Sequence, residues 1–417
     1  MGMEPGAVGT IERTDSRSMN VNPSFSPQEA TRRLTIIFHD AGGGHRATAD
    51  ALKATLAAQS TPWEVDLLNL QERLDSLDVV RKFTGVRIQE TYNLVLRKGW
   101  TRLTPQLLLL LQQTIRLYHR LIVRTLQAYW TEHPADVVLS VIPHFNRAIA
   151  HSMRNLMPRP PFVTLLTDLA DYPPHFWIER ESEYVIVGTE RAKHQALAVG
   201  IPEDHIFEIS GMVLKPKFYE ARSVDRAAER RRLGLDPDCP TGIVLFGGYG
   251  SKVMLDIAKR LNQDGPAVQL IMLCGHNQKL AMELQSLQTR KPILVQGFTS
   301  DVQHYMSLAD FFIGKPGPGS ISEALQFHLP VIVECNSKTL PQERYNAEWV
   351  TEKRFGIVVD DFRRIAPAVQ RLLAEPANGQ FRSNVSAYSN RALLEVLAIL
   401  DQCWKLSPVT KSAAQSR

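Results

Sequence analysis

The stretch Leu34 to Ala58, LTIIFHDAGGGHRATADALKATLAA, decides how the rest of the chain is read. Its first five residues are a β-branched and aromatic run. The segment after the glycines is rich in helix formers and carries Ala47, Ala51, Leu52 and Leu56 at helical spacing. Gly42, Gly43 and Gly44 mark the turn between them, so the unit reads strand, turn, helix. At such a turn the first helical N–H groups have no carbonyl partners and face whatever lies above the strand end. No Lys-Ser/Thr follows the glycines, as a P-loop requires, and Ala47 stands where a dinucleotide fingerprint has its third glycine. The turn therefore predicts close approach of a polar ligand without naming it.

The same unit recurs outward from this stretch. Apolar runs EVDLL, DVVLSVI, FVTLLT and YVIVG follow in the first half, and GIVLFGG, VQLIMLCG, PILVQG, DFFIGK and PVIVEC in the second, with helical stretches between them. This alternation predicts an α/β fold of two Rossmann-like parallel-sheet domains facing across a cleft, with ligands at the C-terminal strand ends. Expected boundaries are residues 33–213 and 222–380, joined by a Pro-bearing linker near 213–222, with helices over 381–405 that pack back on the first domain. Residues 1–32 and 406–417 read as disordered from their polar composition, and residues 1–32 lack the apolar core of a secretory signal.

Composition narrows the class. The 417 residues are 44% apolar and 22% charged, which suits a soluble globular protein, and the longest apolar runs, such as Leu107 to Leu111, are far too short to span a bilayer. Cys239, Cys274, Cys335 and Cys403 show no C-x-x-C spacing, which argues against a disulfide framework or structural zinc and points to a reducing cytoplasm. Of the net charge of +5, the segment Arg81 to Trp130 carries +8, with Glu90 its sole acid. Its Leu-rich turns, Trp100, Tyr118, Tyr129 and Trp130 predict a surface that lies on anionic lipid through Arg97, Lys98, Trp100, Arg102, Arg116, Arg120 and Arg124, rather than on nucleic acid. The competing reading is a core helix with a solvated basic face.

Two further turns carry chemistry. VLFGGYGSKVMLDIAKRL places Gly247, Gly248 and Gly250 between strand and helix, an anion cradle with Ser251 and Lys252 beside it. FFIGKPGPGSISEA ends a strand in a rigid Lys315-Pro316-Gly317-Pro318-Gly319 turn; Ser320 reads as helix N-cap and Glu323 as its capping-box partner. Asp236-Pro237-Asp238 has the spacing of a metal-binding D-x-D, but its Pro-rich setting reads as a turn, and His39 and His45 lack a third zinc ligand.

Taken in order, GGGHRATADAL, LLTDLADYP, the Gly247 loop, LCGHNQKL, VQGFTSDVQHYMSLADFFI, KPGPGSISEA and PQERYNA resemble the motifs of monogalactosyldiacylglycerol synthases and related processive diacylglycerol glycosyltransferases. These group with the peptidoglycan N-acetylglucosaminyltransferase in GT-B glycosyltransferase family 28. The resemblance spans residues 34 to 360 and implies a UDP-sugar donor in the C-terminal domain, diacylglycerol in the N-terminal domain, and inversion at the anomeric carbon without metal or other cofactor. It implies that the Gly247, Gly248 and Gly250 loop holds the diphosphate, with Lys315 and the Gly317, Gly319 and Ser320 turn. The backbone at Phe298 would read uracil, Glu323 the ribose hydroxyls, and Gln342, Glu343 and Asn346 the sugar. Gly43 and Gly44 would form the acceptor turn, and either His45 or Asp168 the base. A neutral imidazole at a helix N-terminus suits that task.

The chain departs from the plant-type pattern at Tyr249 in the phosphate loop, at Pro173-Pro174-His175, at Ile142-Pro143-His144, and at Pro341, which leaves galactose or glucose open. Transfer of N-acetylglucosamine to a lipid-linked acceptor, a nucleotide-sugar 2-epimerase and a non-catalytic sugar sensor are the rival readings. Enzyme action at the inner face of a membrane is the expectation, with oligomeric state open.

Overall fold

The structure, a computed structural model, describes residues 31–40, 44–59, 62–74, 112–113, 115–220, 224–374 and 376–406. Its first sheet comprises β1 (Arg32–Phe38), β2 (Trp63–Asn69), β3 (Val137–Ser140), β4 (Phe162–Leu165), β5 (Tyr184–Val187) and β6 (Ile206–Glu208) in the order 2-1-3-4-5-6. The second comprises β7 (Thr241–Leu245), β8 (Gln269–Gly275), β9 (Ile293–Gly297), β10 (Phe311–Gly314), β11 (Val331–Glu334) and β12 (Gly356–Val359) in the order 12-11-10-7-8-9. Every pairing is parallel. Helices cover both faces, which is why β3, β4, β5, β7 and β10 are buried at every residue and read as unbroken apolar runs rather than alternating ones.

Strand order reverses between β1 and β3 in the first sheet and between β7 and β10 in the second. Loops leave such neighbours in opposite directions and open a crevice at the C-terminal ends. The helix that opens at Gly44 follows β1, the Gly247 loop follows β7, and the Lys315 turn follows β10. The Gly-bearing turns after β7 and β10 thus border a crevice, and Gly42 and Gly43 lie outside the described residues. Leu169 and Ala170, in the loop after β4, pack into a core shared with Ile243, Phe312, Tyr345 and Trp349, so this loop joins one sheet's end to the other unit. The helix Ala392–Leu406 returns to the first unit, burying Leu393, Val396, Leu400 and Cys403 in its core, with Arg32 stacked 3.6 Å over the Trp404 ring.

Several expectations are corrected. Each sheet has six strands where five were read in each half; β6 is three residues long, and β12 starts at a glycine. Tyr129 and Trp130 do not face a membrane. Together with Ile122 and Leu126 they form the buried stripe of the helix His119–Glu132, and the Trp130 indole donates to Ser152 Oγ at 2.8 Å. The rest of the basic stripe divides: Arg116, Arg120 and Arg124 are exposed beside Leu117 and Leu121, whereas Arg97, Lys98, Trp100 and Arg102 lie outside the described residues. Residues 1–30 and 407–417 also lie outside them. Ser320 is not the N-cap, nor does Glu323 cap: Pro318, with no N–H to lose, starts the helix Pro318–Gln326 three residues earlier than a Ser320 cap would, after Gly317. The D-x-D segment is a turn, with the Asp238 N–H bonded to Asp236 Oδ1 at 3.0 Å, at the end of β7 away from the crevice.

Candidate active site

His45 is the second residue of the helix Gly44–Ala58. Burial of Ala49, Ala51, Leu52 and Leu56 against the first sheet fixes that helix, so the ring is set by the core and not by a loose loop. Its Nδ1 lies 2.8 Å from the Val141 carbonyl, just beyond β3, and 3.0 Å from Thr167 Oγ1, just beyond β4. A carbonyl only accepts, so Nδ1 carries the proton. Nε2 keeps its lone pair and has no hydrogen-bond partner among the described residues. His39 meets the ring edge-on at 4.4 Å, and Trp177 lies 5.6 Å away. Desolvation, with His39 and His144 nearby, pushes the His45 pKa down to about 3, so the imidazole is neutral across the working range. Burial likewise lowers His39 to about 4 and His144 to about 3.

Asp168 sits one residue past Thr167 and accepts the Trp177 indole N–H at 2.9 Å. Burial drives its pKa up to about 7; the Trp177 bond pulls it down, the Glu343 and Asp171 carboxylates push it up, and the Lys315 cation pulls it down. Glu343 and Lys315 belong to the second unit, so Asp168 lies within electrostatic reach of it. Asp171 shapes the loop that carries Trp177, accepting the backbone N–H groups of His175 at 3.1 Å and Trp177 at 2.6 Å.

On the other side, Lys315 Nζ and Glu343 Oε1 form an ion pair at 2.9 Å. The pair spans the β10 turn and the first turn of the helix Pro341–Glu352. Asn346, fully buried one turn further along, donates to the Pro316 carbonyl at 2.7 Å and pins the same turn. Gln342 neighbours Glu343 on this helix. A side chain added at Gly319 or Gly248 would meet nothing within 4 Å, so both glycines face open space. Gly317 lies over Lys315, Glu343 and Ser320. The helix Pro318–Gln326 presents its N-terminal N–H groups here, adding positive potential to that of Lys315.

Gly247 and Gly250 adopt φ of 75° and 57°, and the Gly250 N–H closes the turn on the Gly247 carbonyl. The loop docks on the end of β8 through the His276 N–H and the Gly248 carbonyl, 2.8 Å apart. Beside it Phe298, 60% exposed, stacks on His276 with ring centroids 4.1 Å apart. Ser251 Oγ accepts the Val253 N–H at the head of the next helix. Glu323 has no hydrogen-bond partner among the described residues, and burial raises its pKa to about 7 against the pull of Lys215. An unpartnered carboxyl at this place is an acceptor for hydroxyl donors. Gly44 borders open space, and Gly43 lies outside the described residues.

Sequence reasoning missed Thr167, Trp177, His276 and the direct Lys315–Glu343 pairing. None has a local signal: each earns its place from a partner 9 to 122 residues away, as with Trp177 and Asp168 or Thr167 and His45. Among the described residues no group of three or more His, Cys, Asp or Glu is arranged to hold a metal ion.

Residues 45–213 match the family model described as monogalactosyldiacylglycerol (MGDG) synthase, and residues 243–392 match the glycosyltransferase family 28 C-terminal domain. The chain is 27% identical to a chloroplastic monogalactosyldiacylglycerol synthase of Spinacia oleracea over 84% of its own length and 68% of that protein. It is 26% identical to a probable chloroplastic monogalactosyldiacylglycerol synthase 2 of Oryza sativa subsp. japonica, over 86% and 77%. Among solved structures, MurG of Acinetobacter baumannii superposes with a TM-score of 0.58 at 13% identity, over 89% of this chain and 99% of that one, and shares the two-domain GT-B fold. With one family model on each side of the cleft, the chain is similar to the monogalactosyldiacylglycerol synthases over its first unit and to the family 28 glycosyltransferases over its second.

Proposed function

We propose that the protein transfers galactose from UDP-galactose to the free hydroxyl of diacylglycerol, with inversion, at a membrane surface. The observation that carries this reading is His45: a neutral imidazole whose Nδ1–H is held by Val141, leaving Nε2 with its lone pair and no hydrogen-bond partner among the described residues. In the proposed step the acceptor oxygen attacks the anomeric carbon as its proton passes to Nε2. The bond from that carbon to the diphosphate oxygen breaks, and UDP departs with the electron pair.

The charge arriving on the diphosphate is met by Lys315, by the N-terminal turn at Gly317, Gly319 and Ser320, and by the N–H groups of Gly247 and Gly248 in the loop that Gly250 closes. These groups supply the positive field that a divalent ion provides in other transferases, so the reaction is proposed to need no metal or other cofactor. Glu323 accepts the ribose hydroxyls, Phe298 borders the uracil, and Gln342, Glu343 and Asn346 take the sugar side. Asp168, ionised above about pH 7, fixes Trp177 against the His45 ring and places negative charge near the developing imidazolium.

The N-terminal family match favours diacylglycerol over a lipid-linked peptidoglycan acceptor. No helix of the described residues is long and apolar enough to cross a membrane. Docking is proposed to be peripheral, at the cytoplasmic face on anionic lipid, through the exposed Arg116, Arg120 and Arg124 stripe with Leu117 and Leu121. The test offers UDP-galactose, UDP-glucose and UDP-N-acetylglucosamine separately, with diacylglycerol in phosphatidylglycerol liposomes and EDTA present, and identifies products by mass spectrometry. Galactosyl-diacylglycerol is the expected product; a product from another donor alone, or none without a divalent ion, contradicts the reading.

A further inference from the structure

Arg191 lies in the first turn of the helix Glu190–Val199, on the acceptor side, yet most of its partners are on the donor side. Its guanidinium sits 5.0 Å over the Tyr345 ring, and Nη2 lies 3.7 Å from Glu348 Oε2. Nη1 meets Tyr172 Oη at 3.3 Å, and the Tyr172 and Tyr345 rings are 6.4 Å apart. Tyr345 and Glu348 ride the helix Pro341–Glu352, whose first two turns carry Gln342, Glu343 and Asn346. Tyr172 rides the loop that carries Asp168 and Trp177. One planar cation therefore joins the loop that positions the candidate base to the helix that bears the sugar-side carboxylate.

The surroundings show why this contact matters. Inward of Arg191 the seam is apolar, through Leu169 and Ala170. Outward it opens into a crevice of about 510 Å³ lined by Arg191, His194, Trp349, Lys353 and Tyr388. Arg191 stands at the border between packed seam and open crevice, where a hinge motion of the units makes or breaks contacts first.

We propose that Arg191 is a positioning residue, a latch that closes the acceptor-side loop onto the sugar-side helix and sets the reach from His45 to the anomeric carbon. This rests on the two-substrate transfer proposed above. Arg suits the task because its flat face stacks on Tyr345 while its edge pairs with the Glu348 carboxylate and donates to Tyr172.

In the full-length protein, Arg191→Ala is expected to lower kcat about tenfold while UDP affinity, read by calorimetry, stays within about twofold. The charge exchange Arg191→Glu with Glu348→Arg is expected to recover at least about threefold over Arg191→Glu alone, a coupling that mere loss of folding would not produce. An Arg191→Ala kcat within about twofold of wild type, or a parallel loss of UDP affinity, overturns the latch. If wild-type protein glycosylates no acceptor, the reading of the reaction fails on its own, and the latch is judged by small-angle scattering. There, UDP should contract the wild type and leave Arg191→Ala extended, and identical profiles of the two proteins overturn it.

Discussion

The two crevices share a topology and differ in electrostatics. Each lies where strand order reverses in a six-stranded parallel sheet, β1 beside β3 in one and β7 beside β10 in the other. The first gathers His39, His45 and His144, all held neutral by burial, around a carbonyl that fixes one tautomer. The second gathers an ion pair, a helix N-terminus and a glycine loop. A proton acceptor must not be charged before the reaction, and a leaving diphosphate must be met by charge that is already in place. The same scaffold serves both needs because the loops after the strands, not the sheet, carry the chemistry.

Substitutions should separate the two crevices, the largest effect first. His45→Ala is expected to lower kcat about 10³-fold with donor affinity unchanged, measured by turnover and by UDP calorimetry on the same sample. Lys315→Ala should cost about 10²-fold in kcat, since it removes one preorganised stabiliser of the leaving group; an effect on KM alone would place Lys315 in ground-state binding instead. Glu323→Gln should weaken UDP-sugar binding about tenfold, and 2′-deoxy-UDP should bind the two proteins equally.

The smallest effect concerns stability. Asp168 titrates at about 7 in the folded chain against 3.8 when unfolded. Between those values the folded form holds a proton the unfolded form has lost, so its contribution falls as pH rises from about 4 to about 7 and stays reduced above. Asp168→Asn removes that penalty and should melt a few degrees above wild type near pH 8 and level with it near pH 4. The same variant should flatten the acid limb of kcat near pH 7. A limb that survives unchanged would assign it to Glu323, which also titrates at about 7.

Much of this arrangement could be read before the structure, and what could not has a physical reason. The turns after β7 and β10 were legible because glycine between an apolar run and a helical period has few other uses. Strand β6 was not, because Ile206-Phe207-Glu208 is too short to show a period, and Gly356 hid the start of β12. Reading Ser320 as a cap followed local preference and lost to Pro318 at the first helical position. Tyr129 and Trp130 looked interfacial by composition, yet their spacing with Ile122 and Leu126 is that of a core stripe. Lys315 with Glu343, His45 with Val141 and Arg191 with Glu348 are separated by 28, 96 and 157 residues, beyond any local pattern.

The most direct test of the contrast between the crevices joins binding and transfer in one sample of His45→Ala. The account predicts that the variant binds UDP-galactose as tightly as wild type and docks on the same liposomes, yet forms galactosyl-diacylglycerol about 10³-fold more slowly. Transfer within about tenfold of wild type would show that the neutral imidazole is not the proton acceptor, and would move that role to Asp168.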